Sequence, residues 1–202
     1  TILVAGVGGI GCAWAHRAHQ KCQGSAHLVL IDADDSSFKT GEDVHVLRLG
    51  HALDSVGCAA LPPLAEQRMR GLNTLTNRLL DTTELVILLT GLGGGVGTGA
   101  AHEFARQARQ SGAVVLAVAA LPFEQQTTRM DIALEGLNRL ESTAHVTVRL
   151  SLDRLARQAR EKGQLWQMGA EWIEDLVDGL VRTLMRMGLI NLDLMDLRAI
   201  VD

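Results

Sequence analysis

The residue types that could do chemistry fall in three places, and two of these are runs of glycine. Residues 90–101 read TGLGGGVGTGAA, with Gly93, Gly94, Gly95, Gly97 and Gly99 set around Val96 and Thr98. Glycine accepts positive φ and lets a backbone come close to a ligand. The run follows the apolar stretch ELVILL at 84–89 and precedes AAHEFARQARQ at 100–110, so it is a turn from a buried strand into a helix. The free N–H groups of such a turn converge on one point, and the helix dipole adds partial positive charge there. The chemistry this suits is the holding of a phosphate. No lysine closes the loop, which excludes a Walker A motif ending in Gly-Lys-Ser/Thr. A flexible linker would mix serine with glycine and lack the flanking strand and helix.

The second glycine run is GVGGIG, from Gly6 through Gly8 and Gly9 to Gly11. It follows the strand TILVA at 1–5 and opens a helix expected over 12–21. A second strand at 28–31 ends in Asp32. A GxGxxG turn after a strand, with an acid about twenty residues on, is a dinucleotide fingerprint. It implies a nucleotide phosphate and leaves the nucleotide open. The third place is the acidic stretch GLINLDLMD at 188–196, which carries Asn191, Asp193 and Asp196. Carboxylates can orient an attacking water. Taken by themselves, Asp193 and Asp196 read first as the N-cap of a helix over 197–201.

The elements that must position these groups alternate between strand and helix. Residues 44–49 alternate as a strand would, and 64–80 read as one helix. AVVLAVA at 113–119 is wholly apolar, as in a central parallel strand. A polar loop after Pro122 and Phe123 leads to a helix over 129–140, and 145–150 is another strand. A long helix is expected over 166–187. Its apolar arc includes Trp172, Ile173, Leu176, Val177 and Leu180, and Glu171, Glu174, Asp175, Asp178 and Arg182 form its polar stripe. The pattern predicts an α/β fold, a Rossmann-like three-layer nucleotide-binding domain with a parallel sheet covered on both faces. Its ligand crevice would lie beyond the carboxyl ends of the strands. Residues 1–165 are expected to form that domain, with the long helix and acidic loop of 166–202 completing it.

Composition narrows the function further. The 202 residues are 47% hydrophobic and 21% charged, in the ordinary range for a globular domain. A net charge of −4 gives no electrostatic case for nucleic acid or an anionic membrane. No apolar run reaches the ~18–20 residues of a membrane span, so no membrane insertion is expected. Cys12, Cys22 and Cys58 are unclustered, which fits reduced thiols in a cytoplasmic protein. His16 and His19 have no third partner in sequence and read as surface histidines rather than metal ligands. The chain opens on a strand without Met, so a trimmed start is expected.

Beyond these patterns, GGGVGTGAA resembles the GGGTGTG signature of the tubulin/FtsZ superfamily, nearer to FtsZ in its flanks, with Val96 in place of a threonine. GVGGIGC resembles FtsZ's GVGGGGGNA opening. Cys12 stands where that family places a nucleoside-contacting Asn. The same stretch is also similar to the ATP-binding start of ThiF-type adenylating enzymes. Pro122, Phe123, Arg129, Met130, Ala133, Gly136 and Leu137 match the TKPFxFEGxxRM segment and its helix, which implies that Glu124 and Arg129 hold the ribose. SLDRL at 151–155 resembles a PNDRL turn, with Leu152 in place of the Asn. GHALDSVGCAALPP at 50–63 occupies the place of a loop that caps the γ-phosphate, keeping Gly57 and a proline. Trp166 stands for a base-stacking Phe, and Ala170 or Glu171 for the residue that reads guanine. GLINLDLMD resembles GLINVDFADV, which implies that Asn191, Asp193 and Asp196 act on the nucleotide of the next subunit.

The resemblance thus implies GTP/GDP and Mg²⁺ as ligands. It implies a GTPase that works through self-association into filaments, with itself or other FtsZ-like chains as partners, in a cytoskeletal or cell-division role. The family's second domain is absent from these residues, and the polar stripe on the last long helix favours a one-domain relative over a fragment. Val96, Cys12 and Leu152 motivate an alternative, a nucleotide-binding scaffold without hydrolysis. GVGGIG with Asp32 motivates another, an adenylating or NAD-dependent enzyme.

Overall fold

The computed structural model describes residues 1–22, 24–41, 43–50, 61–163 and 171–186. Among these residues six strands run in parallel: β1 (Ile2–Val7), β2 (His27–Asp32), β3 (Val44–Arg48), β4 (Leu85–Gly91), β5 (Val114–Leu121) and β6 (Val146–Ser151). Their order across the sheet is β3-β2-β1-β4-β5-β6. Inner strands with helices over both faces have no solvent side, which is why their sequences are unbroken apolar runs. Every residue of β1 is buried. The edge strand β6 instead leaves Val146 and Val148 exposed.

Side chains alternate across the sheet and build two cores. Leu3, Ala5 and Val7 of β1 point into one, with Val86 and Leu88 of β4. That core is closed by α2 (Pro62–Gly71), α3 (Asn73–Leu80), α4 (Gly95–Gln110) and α5 (Thr127–Glu141), through Met69, Leu80, Phe104 and Leu137. Ile2 and Val4 point into the other, with Ile87 and Leu89. There they meet α1 (Gly8–Cys22), α6 (Leu152–Glu161) and α7 (Glu171–Arg186), through Trp14, Leu155, Ile173, Val177 and Val181. The three layers are those the alternation of elements predicts. On α7 one stripe is buried, and its flanks are tied to α1 by ion pairs, Arg17–Glu174 at 2.7 Å and Lys21–Asp175.

Chain order reverses between β1 and β4, which lie side by side with Val7 opposite Thr90. A crevice beyond the carboxyl ends of two such strands is where open α/β sheets bind ligands.

Several boundaries differ from the sequence expectations. α1 and α4 begin at Gly8 and Gly95 rather than at 12 and 100, so the glycines are themselves first helical turns. The single helix expected over 64–80 is two, parted at Leu72 after Gly71. It starts at Pro62, whose missing N–H has no helical partner to lose. Residues 151–155, expected as a turn, open α6: the Ser151 hydroxyl accepts the Arg154 N–H at 3.3 Å, and Asp153 sits in the positive first turn. Among the described residues no helix is long and apolar enough to cross a membrane.

Candidate functional site

β1 and β4 each deliver a glycine turn to the same point. The Thr90 hydroxyl at the end of β4 lies 3.1 Å from the Val7 carbonyl and 3.3 Å from that of Gly97, joining the two turns. Gly8 takes φ +76°, and a Cβ on it would stand 3.2 Å from the Gly97 nitrogen, so the turns touch backbone to backbone. The helices start this close to the sheet because two positions have no side chain. A Cβ at Gly11 would lie 2.2 Å from the Leu89 carbonyl oxygen, and one at Gly97 would lie 1.9 Å from that of Gly91.

Gly9 and Gly94 are different. A Cβ on either would meet nothing within 4 Å, and neither has positive φ. Gly94 is the N-cap of α4, with extended angles (φ −99°, ψ −178°) open to any residue, and no side chain caps the helix. Among the described residues nothing requires glycine at these two places, and the open space they leave at two helix starts has room for a ligand. The first N–H groups of α1 and α4 are unpaired by helix geometry and carry the positive ends of two dipoles. Neither first turn contains an acidic residue. The residues present therefore fit a phosphate.

Around this point the other expected site residues are placed as follows. Thr98 is buried, and its Oγ1 accepts the Gly93 N–H at 2.9 Å, closing the signature turn on itself. Val96 is buried in the core beneath α4. Gly93 takes φ +98° and packs against Pro122 and the Arg129 carbonyl, so the turn after β5 abuts the signature turn. Arg129 and Glu124 are exposed on that second turn, and the Glu124 N–H donates to Asp153 Oδ2 at 2.9 Å. The Cys12 thiol is buried beneath its turn, 3.4 Å from the Gly6 carbonyl and 3.6 Å from that of Ile31. Burial, and then the charge of Asp32, push it up to about 12, so it remains a thiol. Asp32 braces its own turn, accepting the Ala33 N–H at 2.7 Å and the Ser37 hydroxyl at 2.5 Å. Glu171 is exposed at the start of α7.

Trp166, Ala170, Asn191, Asp193 and Asp196 lie outside the described residues, as do Gly57 and most of the 50–63 loop. Thr90 was missed from sequence. Its signal was a hydroxyl ending an otherwise apolar strand. Among the described residues no group of three His, Cys, Asp or Glu side chains could hold a metal.

Residues 1–160 match the tubulin/FtsZ family, GTPase domain. Among curated proteins the chain is similar to cell division protein FtsZ 1 of Archaeoglobus fulgidus, 29% identical over all of this chain and 56% of that protein. It is also similar to cell division protein FtsZ of Haloferax mediterranei, 28% identical over all of this chain and 54% of that one. Among solved structures, an empty FtsZ dimer from M. jannaschii superposes with a TM-score of 0.80 at 27% identity, covering all of this chain and 60% of that one. A GTPγS-bound protofilament of CetZ2 from Haloferax volcanii shares the fold, with a TM-score of 0.74 at 20% identity over 90% of this chain and 58% of that one. The chain thus spans about half the length of the curated relatives it matches.

Proposed function

The chain belongs to the tubulin/FtsZ family, and from that premise we propose that it binds GTP by its phosphates at the facing starts of α1 and α4. Hydrolysis would then require a second copy to supply Asn191, Asp193 and Asp196. The observation that carries the proposal is the pair Gly9 and Gly94, glycines that neither backbone strain nor any neighbour demands, at two helix starts free of acids. Main-chain N–H groups of the two turns would hold the phosphates, and Arg129 and Glu124 stand on the adjoining turn where a ribose would sit. Trp166, Ala170 and Glu171 are assigned to the base. With no three-ligand cluster among the described residues, Mg²⁺ would be held chiefly by phosphate oxygens and water, which is its common habit. When bound it would neutralise phosphate charge. The acids of the neighbouring copy would orient water in line with the γ-phosphate.

Self-association is supported by the similar FtsZ from M. jannaschii, which forms a dimer. A cytoskeletal or cell-division role, in company with itself or other FtsZ-like chains, fits the curated relatives. The free, buried Cys12 and Cys22 suit a reducing, cytoplasmic setting. The test is GTP turnover per subunit at rising protein concentration. A shared site predicts a rate per subunit that climbs with concentration. A flat or absent rate with GTP still bound would point to the second reading, a scaffold without hydrolysis. The aliphatic Val96 inside the signature favours that reading.

A further inference from the structure

On the sheet face opposite α1, a buried charge cluster joins α2, α4 and α5 directly behind the signature turn. Glu66 of α2 is 9% exposed. Its Oε2 accepts from Arg139 Nη2 of α5 at 2.9 Å and stands 3.6 Å from His102 Nε2 of α4, while its Oε1 takes Arg70. His102 is 6% exposed, and its Nε2 has no hydrogen-bond partner. Its Nδ1 lies 3.4 Å from the Thr98 carbonyl, so the tautomer that bonds there leaves the bare nitrogen facing Glu66.

Thr98 is the residue that closes the turn, through the bond from the Gly93 N–H. Two glycines let the flanking helices clasp it. A Cβ at Gly136 of α5 would collide with the Thr98 methyl, and one at Gly99 would collide with the Pro62 carbonyl at the start of α2. Thr98 therefore keeps its place only while α2 and α5 stay pressed on α4. Glu66 of α2 lies against both His102 of α4 and Arg139 of α5. Removing its charge would leave Arg139 and Arg70 close together with no shared anion, which favours separation of the helices.

We propose that Glu66, acting through Arg139, is a positioning residue that holds α5 against Thr98 and so fixes the Gly93 turn facing the bound phosphates. This rests on the nucleotide-binding reading above for its functional consequence, but the linkage to Gly93 stands without it. Glu103, the residue after His102, provides the contrast. It is fully buried and paired with Arg106, Gln107 and Arg70, and among the described residues it makes no direct ion pair with α5, reaching Glu66 only through the exposed Arg70.

The experiment has two readouts on the wild type and on Glu66→Gln, Arg139→Gln, Glu66→Gln/Arg139→Gln and Glu103→Gln. The first is amide exchange of the Gly93 N–H by NMR in ligand-free protein. The second is the Kd for GDP by calorimetry. Glu66→Gln and Arg139→Gln are expected each to speed Gly93 exchange and to raise Kd by about tenfold. The double variant should do no more than either alone, since the two lie on one path. Glu103→Gln is expected to lower Tm and leave both readouts within twofold of wild type. Unchanged Gly93 exchange in the folded Glu66→Gln and Arg139→Gln variants overturns the inference, as does an equal effect from Glu103→Gln. A wild type that fails to bind GDP while Glu66→Gln speeds Gly93 exchange overturns the nucleotide reading alone.

Discussion

Gly94→Ala separates binding from stability more cleanly than any other single change. The new methyl would point into space where no protein atom lies within 4 Å, on a backbone at φ −99° and ψ −178° that alanine adopts freely. Losing glycine's freedom in the unfolded chain contributes about 0.4–1 kcal/mol of stability. Alanine is a poorer N-cap than glycine by a comparable ~0.5–1 kcal/mol, so the two nearly cancel. For a chain of this size a residue of 0.5 kcal/mol moves Tm by only about 1–2 °C. The methyl carbon stands about 1.5 Å out from the Cα and excludes a phosphate oxygen from contact with the turn. Loss of one charge-assisted hydrogen bond costs about 1.5–3 kcal/mol, which is a roughly 10- to 150-fold rise in Kd. The assay is calorimetric titration with GDP beside a thermal melt on the same sample. An unchanged Tm with a Kd raised at least tenfold is expected. A Kd within twofold of wild type would refute the placement of the phosphate against the start of α4.

Other outcomes follow from the same geometry. Gly11→Ala should damage fold and binding together, because its Cβ would stand 2.2 Å from the Leu89 oxygen and α1 must retreat from β4. Overpacking of this kind costs about 1–3 kcal/mol or more, visible in urea melts. Burial first, and then Arg139, hold His102 below its ordinary value of 6.5. The unfolded chain therefore takes up a proton that the native state refuses, and stability falls as pH drops below about 6.5, by at most about 1.4 kcal/mol per pH unit for one group. His102→Gln should flatten part of that slope in melts between pH 7.5 and 5, and an unchanged slope would contradict it. Burial pushes the Cys22 thiol up to about 11, beside Cys12 at about 12. In a Cys58→Ser background neither should react with iodoacetamide at pH 8 until the chain is unfolded.

The layer order and the inner strands were legible because apolar runs bounded by glycine, proline or acid leave few alternatives, and β3 and β6 because their residues alternate. The helix starts were not. Glycine disfavours helix by about 1 kcal/mol per residue, so local preference places the starts of α1 and α4 after their glycines. Close packing of Gly11 on Leu89 and of Gly97 on Gly91 overrides that preference. The break after Gly71 was hidden because apolar residues continue on both sides of it. The glycine turns showed themselves by composition alone. Thr90 did not, since its bonds to Val7 and Gly97 exist only once β1 and β4 pair. The cluster of Glu66, His102 and Arg139 was equally hidden, because it draws one residue from each of three helices far apart in the chain. The placing of the Cys12 thiol was not legible either: it lies beneath its turn, bonded to carbonyls.

The central claim is that the two glycine turns hold a guanine nucleotide by its phosphates. It is tested most directly by calorimetric titration of the wild-type chain with GTP, ATP and NAD, each with Mg²⁺ present. The account predicts binding of GTP in preference to the other two, weakened at least tenfold in Gly94→Ala. Preference for ATP or NAD, or no binding of any of the three, would contradict it.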